Sequence, residues 1–288
     1  MKIVEPNVEL WRQGTDVEKH IARCARICYK SLKDTGNDKL VANLKKSGHN
    51  SMFRHESVYA IIPDDEIVLA FFAHYVECPY IDFNKYDDKI YVATNGNFIL
   101  DLYDSFDYDK IRIYRYITEN QVDENQFANT EMGHTLMRYT FKVVTQISTS
   151  RELNRVSPNN IAEQSTRYVL EEGCICRPWW MTDEDINIYN GSCNNITSSK
   201  FHIYINACEK GFNHYKELIK EDMLREDARG VLPLDTATTC AYTYSIKEWR
   251  KIIDLRYYGT TGKPHNNARI IAGMIKEELE QLGYEFKD

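Results

Sequence analysis

The stretch YTFKVVTQI, residues 139–147, is the clearest strand signal in the chain, because β-branched and aromatic residues dominate it. A dense run of charge follows it directly. RELNRVSPNNIAEQSTRYV, residues 151–169, holds three arginines and two glutamates around a Pro-Asn-Asn break. Charge this dense makes a poor core segment. The strand therefore leads straight into a polar segment that calls for an explanation other than packing.

Apolar residues at helical spacing mark both ends of the chain. Residues 16–30 predict a helix that starts near Asp16, and 38–47 predict a short one ended by Gly48. Further helices are predicted at 97–106, 201–224, 246–257 and 267–282, and further strands at 57–62 and 89–92. Three segments give no such signal: 64–88 has no clear period, 107–133 is predicted to be a polar surface connection, and 181–200 a loop.

Helices at both ends with strands between them indicate an α+β fold. The chain shows no internal repeat, no low-complexity tract and no convincing linker. We therefore expect a single domain over residues 1–288.

Composition excludes several classes of protein. The net charge of −7 argues against a general nucleic-acid or membrane-surface binder, since non-specific phosphate binding needs a basic face. No apolar run is long enough to span a bilayer and the first residues lack a signal-peptide core, so a cytoplasmic protein is expected. Eight cysteines without a CxxC pair then indicate reduced thiols and no metal site.

The charged segment contains two short arms. Glu152 and Arg155 are three residues apart, which places them on one helical face. Glu163, Ser165 and Arg167 alternate, so an extended chain would point them the same way. Together the arms could wrap an anionic ligand, because arginine offers a planar fork that suits phosphate. A solvated, salt-bridged surface is the alternative that the pattern leaves open.

The string ELxR…EQSTRY resembles the signature of the flavin-dependent thymidylate synthases, in which an Arg-His-Arg triplet is followed by seven residues and a serine. Other segments resemble motifs of that family in the same order: ARCARICYKS at 22–31, GHNSMFRH at 48–55, YVATNGN at 91–97, DARGVLP at 227–233, SIKEWRKIIDLR at 245–256 and PHNNARIIAGMI at 264–275. The resemblance covers essentially the whole chain and is weakest at 64–138. Residues 64–133 are long for the family's shorter members and look like an insertion.

The resemblance implies a fold, an activity and an assembly. The fold is a central, mostly antiparallel sheet flanked by helices. The activity is methylation of dUMP to dTMP, in which FAD carries the hydride, NADPH reduces the flavin and 5,10-methylenetetrahydrofolate supplies the carbon. The assembly is a homotetramer with active sites between subunits. No cysteine nucleophile is needed.

The resemblance also implies roles for particular residues. Arg256 matches the family's catalytic arginine, which would sit by the pyrimidine and stabilise negative charge on its oxygens. Substrate-binding positions are matched by Glu152 and Arg155 from one subunit and by Glu163, Ser165 and Arg167 from a neighbouring subunit. Gln164, Thr166 and Arg229 complete the substrate-binding set. Cofactor-binding positions are matched by His49, Ser51, Ser157, Glu163, Ser245, Lys247 and Lys251.

The sequence departs from the family on the flavin side. The triplet reads Arg155-Val156-Ser157, so its histidine and second arginine are lost. Arg54 stands where the family has glutamate, and Lys247 where it has arginine. Valine cannot donate a hydrogen bond and serine cannot neutralise a diphosphate. Three functions stay open: a thymidylate synthase that holds FAD through other groups, an enzyme that modifies a pyrimidine nucleotide at C5 by other chemistry such as hydroxymethylation, and a non-catalytic nucleotide-binding homologue.

Overall fold

A computed structural model describes residues 1–31, 33–64, 66–191 and 198–286 of the chain. Its strands are β1 (Lys2–Val4), β2 (Asn7–Trp11), β3 (Ser57–Pro63), β4 (Ile81–Tyr86), β5 (Lys89–Asn95), β6 (Gln121–Val122), β7 (Arg138–Gln146), β8 (Ile161–Glu163), β9 (Cys174–Cys176) and β10 (Ala237–Ser245).

The helices surround these strands. They are α1 (Val17–Ile27), α2 (Asn37–Lys46), α3 (Glu66–Ala73), α4 (Gly96–Tyr103), α5 (Tyr108–Glu119), α6 (Glu124–Ala128), α7 (Glu131–Leu136), α8 (Ile147–Leu153), α9 (Asp183–Tyr189), α10 (Ser199–Lys220), α11 (Arg225–Ala228), α12 (Ile246–Ile253) and α13 (Asn266–Gln281). Asn50–His55 and Arg229–Val231 form 3₁₀ turns, and Asp254–Tyr258 form a π-helical turn directly after α12.

The main sheet is antiparallel and has the strand order β2-β7-β10-β8. The predicted strand at 139–147 is β7, one of the two central strands. It pairs with β10 along its whole length, from Ala237 opposite Gln146 to Ser245 opposite Arg138. This pairing gives the sheet two distinct ends, and the candidate sites lie at them.

Helices cover both faces of the main sheet. On one face Trp249 and Ile253 of α12, with Ile271 and Ile275 of α13, pack against Phe141 of β7 in the largest apolar cluster. On the other face Cys24 and Ile27 of α1 pack against Ala162 and Ala241. The expected α+β class, with a mostly antiparallel sheet flanked by helices, is confirmed.

The insertion-like segment contributes most of a second antiparallel sheet, ordered β4-β5-β3-β6. This sheet has its own apolar cluster, which includes Phe72 of α3 and Ile113 of α5. It also touches the main core, because Tyr59 and Tyr91 belong to the cluster that contains Trp249. The two sheets therefore share packed side chains.

The structure corrects three expectations about local structure. The polar segment 107–133 is not a surface connection but contains α5, β6, α6 and the first half of α7. The segment 64–88 contains α3 and β4. The expected loop at 181–200 contains α9, while its residues 192–197 lie outside the described residues. Asp107 and Asp123 accept backbone hydrogen bonds as N-caps, so the acidic residues that suggested a connection instead start helices.

Candidate active site

A cavity of about 600 Å³ lies at the end of the main sheet where β7 and β8 finish and β10 begins. That volume suits a small-molecule ligand. The second charged arm and Arg229 converge here. The lining residues are Ile147, Arg151, Glu163, Gln164, Ser165, Thr166, Arg167, Arg229, Gly230, Leu232, Pro233 and Leu234.

Glu226 organises the two predicted phosphate-binding arginines. Its carboxylate accepts hydrogen bonds from Arg167 Nε at 2.7 Å and lies 2.5 Å from Arg167 Nη2, and this pairing raises the pKa of Arg167. Its main-chain carbonyl accepts from Arg229 Nε at 3.0 Å. Arg229 Nη1 also donates to Thr166 Oγ1 at 3.1 Å. Both guanidinium groups are exposed, so a ligand can reach them.

The arm itself is anchored to the sheet. Glu163 Oε1 accepts hydrogen bonds from Ser150 Oγ at 2.9 Å and Thr238 Oγ1 at 3.1 Å. The backbone N–H of Gln164 donates to β10, and that of Ser165 donates to Cys28 O at 3.0 Å. The extended conformation expected through Arg167 ends before Thr166, where the chain turns. The turn brings the Thr166 hydroxyl to Arg229.

The catalytic candidate Arg256 lies with the first charged arm. Arg256 Nε donates to the main-chain O of Glu152 at 2.6 Å, and its Nη2 lies 3.0 Å from the Glu152 carboxylate. Arg155 Nη2 lies 3.4 Å from the same carboxylate. Desolvation and the charge of Arg155 lower the pKa of Arg256, while Glu152 acts in the opposite direction. The side chain sits in the π-helical turn, a feature often found at functional sites.

Within one chain these two groups are neighbours but do not form one pocket. A second cavity of about 370 Å³ is lined by Glu152 and shares Pro233 and Leu234 with the first. Among the described residues the two groups also have different carboxylate partners, because Arg155 and Arg256 pair with Glu152 whereas Arg167 pairs with Glu226. A ligand that touched both groups would therefore have to extend past Pro233 and Leu234, which line both cavities, or lie between two chains.

The candidate cofactor residues are spread more widely. His49 and Ser51 line a third cavity, of about 480 Å³, at the end of α1 and α2. Ser245 is buried and its hydroxyl caps α12 by accepting from Glu248 N, so it is already engaged. Lys247 and Lys251 project from α12 into solvent, and Ser157 is exposed.

Val156 is part of the core rather than of any cavity. It is 7% exposed and belongs to the same apolar cluster as Leu153 and Trp249. An apolar side chain at this position needs no hydrogen-bond partner, whereas a buried histidine would. The change from the family's histidine is thus accommodated by packing.

Two residues of the site carry no role in the sequence interpretation. Arg151 lines the first cavity and adds a third cation to it. Glu226 sits one residue ahead of the DARGVLP string, inside the short helix α11 and next to Asp227, and nothing in the local sequence indicates its contact with Arg167.

The thiols near the site are poor nucleophiles. Burial raises the pKa of Cys24 to about 12 and also raises the pKa of Cys28 and Cys240. A thiol reacts as its thiolate, so these side chains stay in the unreactive form at neutral pH. The described residues hold no cluster of metal-ligand side chains, and none of the helices there is both long and apolar enough to cross a bilayer.

Residues 130–282 match the family described as thymidylate synthase complementing protein, Thy1. That match spans 153 of the 288 residues and includes the whole first cavity and Arg256. The chain belongs to this family. The resemblance found in the sequence is thereby confirmed.

Solved structures with a related chain path include a UMP/dUMP methylase, PolB from Streptomyces cacaoi. With 5-Br dUMP bound, that protein is 15% identical, with a TM-score of 0.44 over 98% of this chain and 93% of that chain. With 5-Br UMP bound, the values are 16% identity and a TM-score of 0.44 over 98% and 92%. No curated protein sequence matches the chain at a significant level.

Proposed function

We propose that this protein methylates dUMP at C5 to give dTMP, with 5,10-methylenetetrahydrofolate as carbon donor, FAD as hydride carrier and NADPH as reductant. One observation carries the proposal. A Thy1-family chain presents Arg167, Arg229 and the Thr166 hydroxyl together at one cavity, where a mononucleotide phosphate would be bound.

The charge of the first cavity suits a phosphate monoester. Arg151, Arg167 and Arg229 supply three cations, and Glu163 and Glu226 supply two anions. Guanidinium forks and hydroxyls form strong, charge-assisted hydrogen bonds with phosphate oxygens. Because Glu226 already orients Arg167 and Arg229, little conformational entropy would be lost when the phosphate binds.

Arg256 is proposed to act on the pyrimidine. A fixed cation beside the ring oxygens favours the electron distribution in which C5 is nucleophilic. C5 would bond to the donor's methylene carbon, the bond from that carbon to the folate nitrogen would break to release tetrahydrofolate, and the C5 proton would be lost. Reduced FAD, when bound, would supply the hydride that completes the methyl group. Glu152 holds Arg256 in place through its main-chain and side-chain oxygens.

FAD, when bound, would supply the hydride, and the chain offers groups that fit its anionic part. Arg54 has a buried Nε without a hydrogen-bond partner, and Arg138 has two such nitrogens. Lys247 and Lys251 add exposed positive charge on α12. His49 and Ser51 offer polar contacts in their cavity. The charge requirement of a diphosphate can therefore be met without the lost arginine.

A homotetramer with shared active sites is part of this proposal. Large apolar side chains are exposed in the first two cavities, at Trp179 and Leu234, and on stretches of the chain next to residues that line them, at Tyr168, Leu170, Leu224 and Val231. Such a patch is typical of a protein interface. A partner chain seated there could bring its own Glu152, Arg155 and Arg256 to the phosphate-binding arginines of the first chain.

A second candidate is modification of a pyrimidine nucleotide at C5, such as hydroxymethylation, with altered or absent flavin use. The burial of Val156 in the core favours it, because a group that would face a flavin is missing. Nucleotide binding would be the same in both cases, and only the cofactor requirement and the product would differ.

The test is turnover with purified protein. dUMP, methylenetetrahydrofolate, NADPH and FAD are supplied together, and dTMP is measured by chromatography and mass spectrometry. Omission of FAD should abolish dTMP formation. A hydroxymethylated product, or turnover without FAD, would favour the second candidate. Binding of dUMP without any product would identify a non-catalytic homologue and contradict the proposal.

A further inference from the structure

Two departures from the family pattern change charge in opposite directions. Arg54 places a cation where the family has a carboxylate, and Ser157 removes a cation from the triplet. The positions are more than a hundred residues apart in sequence. If they are neighbours in space, the pair of changes relocates one positive charge rather than deleting it.

The structure makes them neighbours. Arg54 lies in the 3₁₀ turn Asn50–His55, and its Nη1 donates a hydrogen bond to the main-chain O of Asn159 at 3.2 Å. Its guanidinium also lies over the Tyr80 ring, 5.4 Å from the centroid. These two contacts hold the cation against the loop that begins with Ser157, two residues before Asn159.

The positive charge at this end of the main sheet is only partly balanced, because Glu248 lies near enough to Arg138 for that charge to lower the pKa of its carboxyl against the larger rise caused by burial. Within the described parts of the chain, neither Arg54 nor Arg138 forms a salt bridge, although Arg138 is only 5% exposed. Nε of Arg54, and Nε and Nη2 of Arg138, are buried without hydrogen-bond partners. Unpaired buried cations are costly unless an anion or a strong acceptor approaches them.

The N-terminus of α12 adds to the positive potential at this end of the main sheet. Arg138 pairs across the sheet with Ser245, the residue that caps this helix. A helix N-terminus carries partial positive charge and favours anions. Glu248 is the nearby carboxylate, but it accepts from Ser245 N at 2.7 Å in the capping box and does not form a salt bridge with Arg138.

We infer that Arg54 replaces the arginine lost at position 157 and binds the diphosphate of the flavin cofactor. Arg138 lies deeper and strengthens the positive potential without contact, because its unpaired nitrogens are shielded from solvent. The inference rests on the proposed function for the identity of the ligand. It makes Arg54 a binding residue at a position where the family has a glutamate.

A charge-swap experiment tests it. Arg54→Glu, Ser157→Arg and the double variant are compared with the parent protein, and FAD affinity is measured by quenching of flavin fluorescence. Arg54→Glu should weaken FAD binding by tenfold or more, because a charge-assisted contact is replaced by repulsion. The double variant should return to within about threefold of the parent, since the cation is restored at 157.

Riboflavin and dUMP show which part of the ligand is affected. Riboflavin has no diphosphate, so its affinity should not change in any variant, and dUMP affinity should also stay constant because that site lies at the other end of the sheet. Arg115→Glu, at an exposed position on α5, is the matched control for a general charge effect. Circular dichroism melting verifies that each variant is folded.

The outcomes separate this inference from the proposed function. Unchanged FAD affinity in Arg54→Glu, or a double variant as weak as the single one, overturns the inference and leaves the proposed function standing. A parent protein that takes up no FAD overturns the inference and also the use of FAD in the proposed function. None of these results removes the nucleotide site, which dUMP affinity reports independently. Loss of dUMP binding in the parent would instead contradict the proposed function.

Discussion

The two ends of the main sheet handle positive charge in opposite ways. At the end that forms the first cavity, Arg167 is exposed and paired with Glu226. At the other end, Arg138 is buried and Arg54 partly buried, and neither is paired with a carboxylate in the described chain. The first arrangement suits a ligand that binds and leaves, because an internal partner holds the arginine between turnovers. The second arrangement leaves two arginines without a carboxylate partner, and a permanently bound anionic group would neutralise them.

The two ends also differ in how closely their residues match the family pattern. At the first cavity the expected residue types are present at the expected positions, from Glu163 to Arg167 and at Arg229. At the other end the charge is present but at different positions. Residue identity is thus informative for the proposed nucleotide site, whereas only three-dimensional position is informative for the proposed cofactor site.

The largest expected effect is on turnover in Arg256→Ala. Loss of a fixed cation beside the ring should lower kcat by about a hundredfold to a thousandfold, as removal of one oxyanion-stabilising group does elsewhere. Arg256→Lys should recover only part of this, because lysine keeps the charge without the fork that holds Glu152. Steady-state kinetics measure both variants.

Arg250→Ala is the control for that experiment. It removes an arginine of α12, the helix before the turn that carries Arg256; this side chain donates to the main chain of Glu285 and lies outside both cavities. Its kcat should match that of the parent. Intact turnover in Arg256→Ala with the fold retained would reject the catalytic assignment.

The second effect is on the free energy of unfolding and tests a row of buried polar contacts near the end of the sheet that contains Arg138. His20, Thr140, Thr243 and His55 form a chain of contacts at 3.1, 2.7 and 2.8 Å across β7 and β10. Burial lowers the pKa of both histidines to about 3. Below pH 6.5 the unfolded chain binds protons that the folded chain refuses, so stability falls as the pH drops.

The titration of Glu56 offsets part of this loss of stability. Burial raises its pKa to about 7, so the folded chain keeps a proton that the unfolded chain releases above its ordinary pKa of 4.5. Between pH 7.5 and 5 the two histidines should together cost about 4 kcal/mol and Glu56 should return about 2, which leaves a net loss of about 2 kcal/mol.

Urea unfolding at the two pH values measures the difference. His55→Gln should reduce the loss to near zero, and Glu56→Gln should roughly double it. Each variant is compared with itself at the two pH values, so any constant cost of the substitution cancels. A parent protein that gains stability on acidification would contradict the burial of these histidines.

The third effect concerns nucleotide affinity. Arg167→Ala should weaken dUMP binding by about tenfold, since one charge-assisted contact to phosphate is lost at an exposed site. Deoxyuridine, which has no phosphate, should bind equally to both proteins. Calorimetric titration measures the two ligands, with Arg115→Ala as the control. Equal weakening of both ligands would indicate a structural role for Arg167.

The fold was predictable where one strong period runs through an element. β7, α10 and α13 are such elements, and the helices that begin at Asp16 and end at Gly48 were also predicted. The strand β10 was missed although it is central, because ATTCAYTYS is buried on both faces and so lacks a plain alternation. Burial on both faces is a tertiary property that a single sequence shows only weakly.

The site was predictable to the extent that motifs encode it. The arm from Glu163 to Arg167 and the distant Arg229 meet as expected. The contact of Arg54 with Asn159 could not be predicted, because it depends on how the 3₁₀ turn packs beside a loop 105 residues away. The partner roles of Glu226 and Arg138 were hidden for the same reason, since no local pattern specifies a long-range ion pair or its absence.

The smallest expected effect is on FAD affinity when a lysine of α12 is replaced. Lys247 is exposed, so Lys247→Ala should weaken FAD binding only two- to threefold, far less than Arg54→Glu. Because exposed charges are screened by salt, the difference from the parent should vanish near 0.5 M salt, while that of Arg54→Glu persists in part. Fluorescence titrations at two salt concentrations measure this, with exposed Lys39→Ala of α2 as the control. An effect of Lys247→Ala as large and as salt-resistant as that of Arg54→Glu would move the diphosphate from the Asn159 loop to α12, because only a desolvated contact resists screening.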